Sequence, residues 1–158
     1  MNHFSYLLSL IISFCGLFVG IALAYIAPEE IKPGEIYLTA IQNLILTTAI
    51  FVFVYYITQN ILFTVFVSIL IFLFLFYRRP STKAIYLLFG PIFFFSSKDQ
   101  VIFLLESVLI FFYGFPTGTL FAKRLIKKPK PEVIKKLFLS YCSFLLVSLV
   151  LYYANSFL

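Results

Sequence analysis

Residues 80–97 read PSTKAIYLLFGPIFFFSS, and the fold turns on whether this stretch crosses a membrane. Its apolar part, Ala84 to Ser97, is short of the about 20 residues that a helix needs to cross hydrocarbon, and Gly90-Pro91 interrupts it. With Pro80 to Lys83 included it just spans. Arg78 and Arg79 precede it, and the polar turn Lys98-Asp99-Gln100 follows it.

Long apolar runs lie on both sides, and with residues 81–97 they make six candidate spans: 4–27, 37–58, 61–77, 81–97, 101–122 and 137–158. The segment PEEIKPGE, 28–35, separates the first two, and only Gln59 and Asn60 separate the second from the third. The longest polar segment is KRLIKKPKPEVIKK, 123–136. The chain is 63% hydrophobic and 11% charged, with a mean hydropathy of +1.07. A soluble domain is about half apolar and about a quarter charged. This composition excludes a soluble enzyme, a disordered tail and a nucleic-acid-binding domain. The net charge of +6 comes from lysines and arginines in short connections between apolar runs, so it speaks of membrane orientation rather than nucleic acid.

Two signals favour counting 81–97 as a span. The first is charge. With six spans, the connections at 28–35, 78–83 and 123–136 share a side and hold eleven of the twelve basic residues. The positive-inside rule makes that side cytoplasmic and places both termini outside. With five spans the basic residues would divide between the two sides. The second is tyrosine. Ten of the eleven tyrosines fall near span ends, where amphipathic rings favour the interface; Tyr113 alone falls mid-span. The expected fold is therefore an all-α, six-helix transmembrane bundle, a single domain over residues 1–158 and a multi-pass protein of the cell membrane. The main rival is a re-entrant fourth segment. Ala22-Leu23-Ala24 resembles a signal-peptidase site, but MNHFS has no basic residue and the apolar run is long, so the first span is expected to stay.

The first and fifth spans align without gaps at an offset of 98, with ten identities in thirty positions from Leu7/Leu105 to Ile36/Ile134. The informative matches are Gly16/Gly114, Gly20/Gly118 and Pro33/Pro131, because glycine and proline are rare here. They suggest tandem two-helix hairpins repeated in parallel orientation. The small residues Ser5, Ser9, Ser13, Gly16, Gly20 and Ala24 hold one face of the first span, and Gly114 and Gly118 repeat part of it. Small-xxx-small faces let backbones approach, so these glycines are expected to pack helices together.

Candidate chemistry is sparse. The only histidine is His3, the only aspartate is Asp99, and the two cysteines sit in apolar runs, so no metal site, cofactor site or catalytic constellation is expected. Glu106 is the one acidic residue within a span and a candidate for proton or cation binding by default, although it lies roughly 8 Å from the span's start. Tyr113, Pro116 and Thr117 form a motif, YGFPTG, in which proline removes a backbone hydrogen bond. Helix breaks are expected there and at Gly90-Pro91. The second span carries Thr39, Asn43 and Thr47 at fourfold spacing, with Gln42 adjacent. Amides are costly in hydrocarbon, so this stripe should meet protein, with Asn43 or Thr47 near Tyr113 or Thr117. The third span, apolar apart from Thr64 and Ser68, should face lipid.

The basic segment holds Lys123, Arg124, Lys127, Lys128, Lys130, Lys135 and Lys136. These suit lipid headgroups or an acidic partner, at about 1 kcal/mol for each charge near an anionic leaflet. The repeat register sets Lys127 and Lys128 opposite Glu29 and Glu30 for ion pairing. Two functions remain. The favoured one is a non-enzymatic helix-packing or assembly subunit, with a membrane-protein partner or a second copy. The alternative is a small transporter or channel using the fifth helix and Glu106.

Overall fold

A computed structural model describes residues 2–78, 80–125 and 129–156. All regular structure among them is helical: α1 His3–Ile26, α2 Ile31–Thr58, α3 Ile61–Tyr77, α4 Thr82–Ser96, α5 Gln100–Lys123, α6 Lys130–Tyr141 and α7 Ser143–Ser156. Three of them, α1, α2 and α5, are long and apolar enough to cross a membrane. The pair α6 and α7, bent by 41°, makes a fourth crossing if taken as one span. The 17 residues of α3 and 15 of α4 amount to about 26 and about 22 Å, short of a core about 30 Å thick.

Several boundaries differ from expectation. The connection expected over 28–35 shrinks because α2 starts at Ile31, with Pro33 in the first turn, where a missing N–H costs little. For the same reason Pro131 lets α6 begin at Lys130, inside the segment expected to be a loop. The helix breaks expected at Gly90-Pro91 and in YGFPTG are absent: α4 continues through Pro91 and α5 through Pro116. The bend lies instead at Cys142, within the run expected to be one span. Elsewhere local chemistry sets the ends. Gln59 takes a left-handed conformation at φ 52°, and the Asn60 side chain caps α3 by accepting from Phe63 N. Asp99 caps α5, accepting from Val101 N and Ile102 N.

The helices assemble around α1 and α5. Gly16 and Gly20 lie against Gly114 and Gly118 in the same chain order, so these two helices run parallel. On one side α2 packs against α5 and carries α3; on the other, α4 packs against α7 and α5. Aromatic rings fill the second side. Tyr86, Phe89, Tyr113, Tyr141 and Phe144 form one group, joined through Phe93 on Phe144 to a second of Tyr6, Phe93, Phe103 and Tyr152. Tyr6, Tyr86 and Tyr141 are therefore core residues, not the interfacial anchors that their position near span ends suggested.

Candidate functional site

The α2–α5 contact places a buried amide against two hydroxyls. Gln42, Leu46 and Ala49 are the buried face of the middle of α2. Opposite, Tyr113 and Thr117 share a face of α5 one turn apart. Thr117 Oγ1 donates to the Tyr113 carbonyl (2.8 Å), so it must accept from its other neighbour. Gln42 Nε2 supplies that bond at 2.8 Å and a second to the Tyr113 hydroxyl at 3.2 Å. Both amide protons are then spent. No hydrogen bond to Gln42 Oε1 forms among the described residues, while the Tyr113 hydroxyl has the Thr117 side chain as a second hydrogen-bonding neighbour.

This trio is the floor of a pocket of about 520 Å³ between α2, α4, α5 and α6. Asn43 and Thr39 line its α2 side, and Thr82, bonded to the Tyr141 hydroxyl at 2.9 Å, lines the side opposite. Lys83, Lys123 and Arg124 stand at its mouth. Glu35, at the start of α2, pairs with Lys123 at 2.5 Å and ties α2 to the end of α5. From Thr117 to Lys123 the helix rises about 9 Å, which separates the neutral floor from the charged mouth.

The structure gathers some of the sequence candidates here and leaves others elsewhere. Tyr113 and Thr117 join the floor, but their partner is Gln42, where Asn43 or Thr47 was expected. The hydroxyls of Thr39 and Thr47 turn back to their own helix, onto the carbonyls of Glu35 and Asn43. Pro116 is buried within α5. Glu106 lies on the same face of α5 as Tyr113, about 10 Å further along, outside the pocket. It is fully buried, and neither carboxylate oxygen has a hydrogen-bond partner among the described residues.

The described basic residues of this segment make separate contacts. Lys123 and Arg124 belong to the pocket, while Lys130 lies over the Tyr25 ring at 5.2 Å. Lys136 pairs with Glu132 at 3.0 Å, and Lys135 borders a shallow apolar groove with Phe18 and Phe138. Lys127 and Lys128, and hence their pairing with Glu29 and Glu30, lie outside the described residues, as does Arg79.

The glycines form the tightest seam of the protein. A Cβ on Gly16 would strike the Phe111 carbonyl oxygen, one on Gly20 the Phe115 carbonyl oxygen, and one on Gly118 the Leu17 carbonyl oxygen. A Cβ on Gly114 would sit 2.6 Å from the Gly16 carbonyl carbon. Thr119 Oγ1 donates to Gly20 O at 2.9 Å and Ser13 Oγ to Ser107 O at 3.0 Å, stitching the same seam.

Sequence reasoning passed over the roles of Gln42, Thr82, Lys83 and Tyr141. For Gln42 a signal existed: it shares a face with Leu46 and Ala49, whereas the Thr39–Asn43–Thr47 stripe lies to one side. No known protein family matches the chain, and neither does any curated protein or solved structure.

Proposed function

We propose that the chain is a six-span integral membrane protein, one domain over residues 1–158, which holds a polar ligand in the α2–α5 pocket and works as a small carrier or transporter. Both termini are outside and the basic connections cytoplasmic, so the pocket opens toward the cytoplasm. The buried Gln42–Tyr113–Thr117 trio carries this proposal. Hydrocarbon penalises an amide and two hydroxyls placed in it, and the floor keeps an acceptor on Gln42 uncommitted. The gathered groups are amides, hydroxyls and cations, suited to binding rather than to acid–base catalysis. Glu106, on the same helix face, is the candidate for ion coupling.

Duplication of the first hairpin is part of the same proposal. Equivalent glycines meet across the α1–α5 seam, Gly16 against Gly114 and Gly20 against Gly118. The helix starts also correspond: Lys32 and Pro33 in the first turn of α2 align with Lys130 and Pro131 in the first turn of α6.

Cysteine labelling in sided proteoliposomes tests this, with Cys15 and Cys142 first changed to serine. Asn43→Cys should react with a membrane-impermeant thiol reagent from the cytoplasmic face, with slower reaction from outside if access alternates. Probes at Glu30 and Glu132 should share the cytoplasmic side, and those at Asn60 and Gln100 the outer side. Opposite sidedness of Glu30 and Glu132 overturns the six-span map, and an Asn43→Cys that reacts from neither side overturns the pocket.

One observation favours the assembly reading as a second possibility. Among the described residues α3 packs chiefly on α2, and its outward face from Leu62 to Phe76 is apolar. Crosslinking of Leu70→Cys in native membranes to itself or to another membrane protein would favour this role over the carrier.

A further inference from the structure

From the pocket's two ends we infer the chemical class of its ligand: a hydroxyl-bearing phosphate ester of the glycerol phosphate type, with its phosphate at the mouth and its hydroxyl on the floor. This rests on the carrier proposal only in using the same pocket.

The mouth selects an anion. Three cations, Lys83, Lys123 and Arg124, line it against one carboxylate, Glu35, so positive charge is in excess. Lys83 is the telling one. It sits in the first turn of α4, where the helix dipole is positive and a cation is disfavoured. Ser81, the residue at the N-cap, makes no side-chain cap; Ala84 N donates to the Ser81 carbonyl, so the Thr82 and Lys83 amides of this 15-residue helix are left for another acceptor. Ser81, Thr82 and Lys83 all line the pocket. A phosphate there meets amide dipoles, a lysine and an arginine together, the combination that suits it best.

The floor selects a hydroxyl. Gln42 Oε1 is an uncommitted acceptor beside the fully buried Tyr113 hydroxyl. A group that donates to this acceptor fits the floor, and an alcohol does so while lying against the neighbouring hydroxyls. A bare phosphate or a carboxylate would set anionic oxygen against Gln42 Oε1. The rise of about 9 Å between floor and mouth suits a three-carbon phosphate ester met by flexible lysine and arginine side chains. Such an ester occurs as a soluble metabolite and as the headgroup of an anionic lipid in the inner leaflet.

Thermal unfolding of the purified full chain in neutral detergent separates these sources. The probes are sn-glycerol 3-phosphate, inorganic phosphate, dioleoylphosphatidylglycerol and dioleoylphosphatidylcholine. A saturable rise in Tm with glycerol 3-phosphate marks the soluble ester, and one with phosphatidylglycerol alone marks the lipid. Inorganic phosphate should need at least a tenfold higher concentration than glycerol 3-phosphate. Lys83→Ala combined with Arg124→Ala, both exposed positions, should weaken the effective probe at least tenfold. Tyr113→Phe, which keeps the ring, should erase the preference for the ester over inorganic phosphate. Equal shifts with phosphatidylcholine, no saturable shift with any anionic probe, or an unchanged response in the double variant would each overturn the inference. Labelling of Asn43→Cys from the cytoplasm without such binding would leave the carrier proposal standing and this ligand class refuted.

Discussion

The α1–α5 seam and the α2–α3 hairpin use one apolar alphabet to opposite ends. At the seam side chains are missing: four glycines bring two backbones into contact, and even a methyl group finds no room. In the hairpin large side chains are plentiful, yet α3 buries only Thr64, Ser68 and Leu75 and turns its phenylalanines and leucines outward. Lipid tails are as apolar as leucine, so burying a large residue between membrane helices gains little. Close backbone approach and hydrogen bonds between helices hold such a protein together. Tolerance to mutation should follow: intolerant where residues are small or polar, permissive where they are large and apolar.

The largest effect is expected at the seam. Gly20→Leu places a whole side chain where a Cβ already overlaps the Phe115 carbonyl and lies 2.9 Å from Thr119 N. Both neighbours are backbone, and neither can yield without moving a helix. The cost should be about 3 kcal/mol or more, seen as loss of monodisperse folded protein in size-exclusion chromatography. A folded Gly20→Leu with an unchanged unfolding midpoint would break the contrast at its stronger side.

Next comes the α2–α5 contact. Gln42→Leu keeps the size of the side chain but removes both bonds to α5, leaving the Tyr113 and Thr117 hydroxyls short of a donor. A loss of about 1–3 kcal/mol is expected in the unfolding midpoint. Asn43→Leu, one residue on and only half-buried, should cost a few tenths at most. Equal effects would return the contact to the stripe at Thr39, Asn43 and Thr47.

That pair of residues shows how far the sequence could be read. The glycines were legible because a membrane helix with paired glycines four apart has few other uses for them, and the repeat pointed to the same positions. That α2 carries a polar face was legible too. Which face it is was not. In a helix apolar all round, core and lipid make the same demand on side chains, so hydrophobic periodicity loses its meaning. The fourfold spacing of Thr39, Asn43 and Thr47 looked like a contact, but threonine can satisfy itself on its own helix, as Thr39 and Thr47 do. The longer Gln42 side chain instead reaches α5. Tyr6, Tyr86 and Tyr141 misled in the same way: their height near span ends was readable, their inward direction was not. The pocket mouth was least legible, because Lys83 and Arg124 are brought together from separate connections by the packing of α4 on α5.

A smaller effect is expected on α3. Leu70→Ala removes a half-exposed side chain from a helix that packs chiefly on α2. The change should stay within about 0.5 kcal/mol, the range of ordinary surface substitutions. A loss several times larger would mean that this face is covered by a partner or a second copy, and would sharpen the assembly reading.

The smallest effect has the opposite sign. Gly34 lies in the first turns of α2, with nothing within 4 Å of the position a Cβ would take, and its φ is not positive. Nothing in the packing calls for glycine there. Replacing it with alanine lowers the entropy of the unfolded chain and favours the helix, so Gly34→Ala should raise stability by roughly 0.5–1 kcal/mol. The same substitution at Gly16 or Gly118 should destabilise, because a Cβ there meets a carbonyl oxygen. One chemical change with two signs, read as unfolding midpoints of three variants, isolates close backbone approach from glycine's general effect on helices. If Gly16→Ala were also neutral or stabilising, the seam would have slack, and the difference between the two regions would no longer rest on backbone contact.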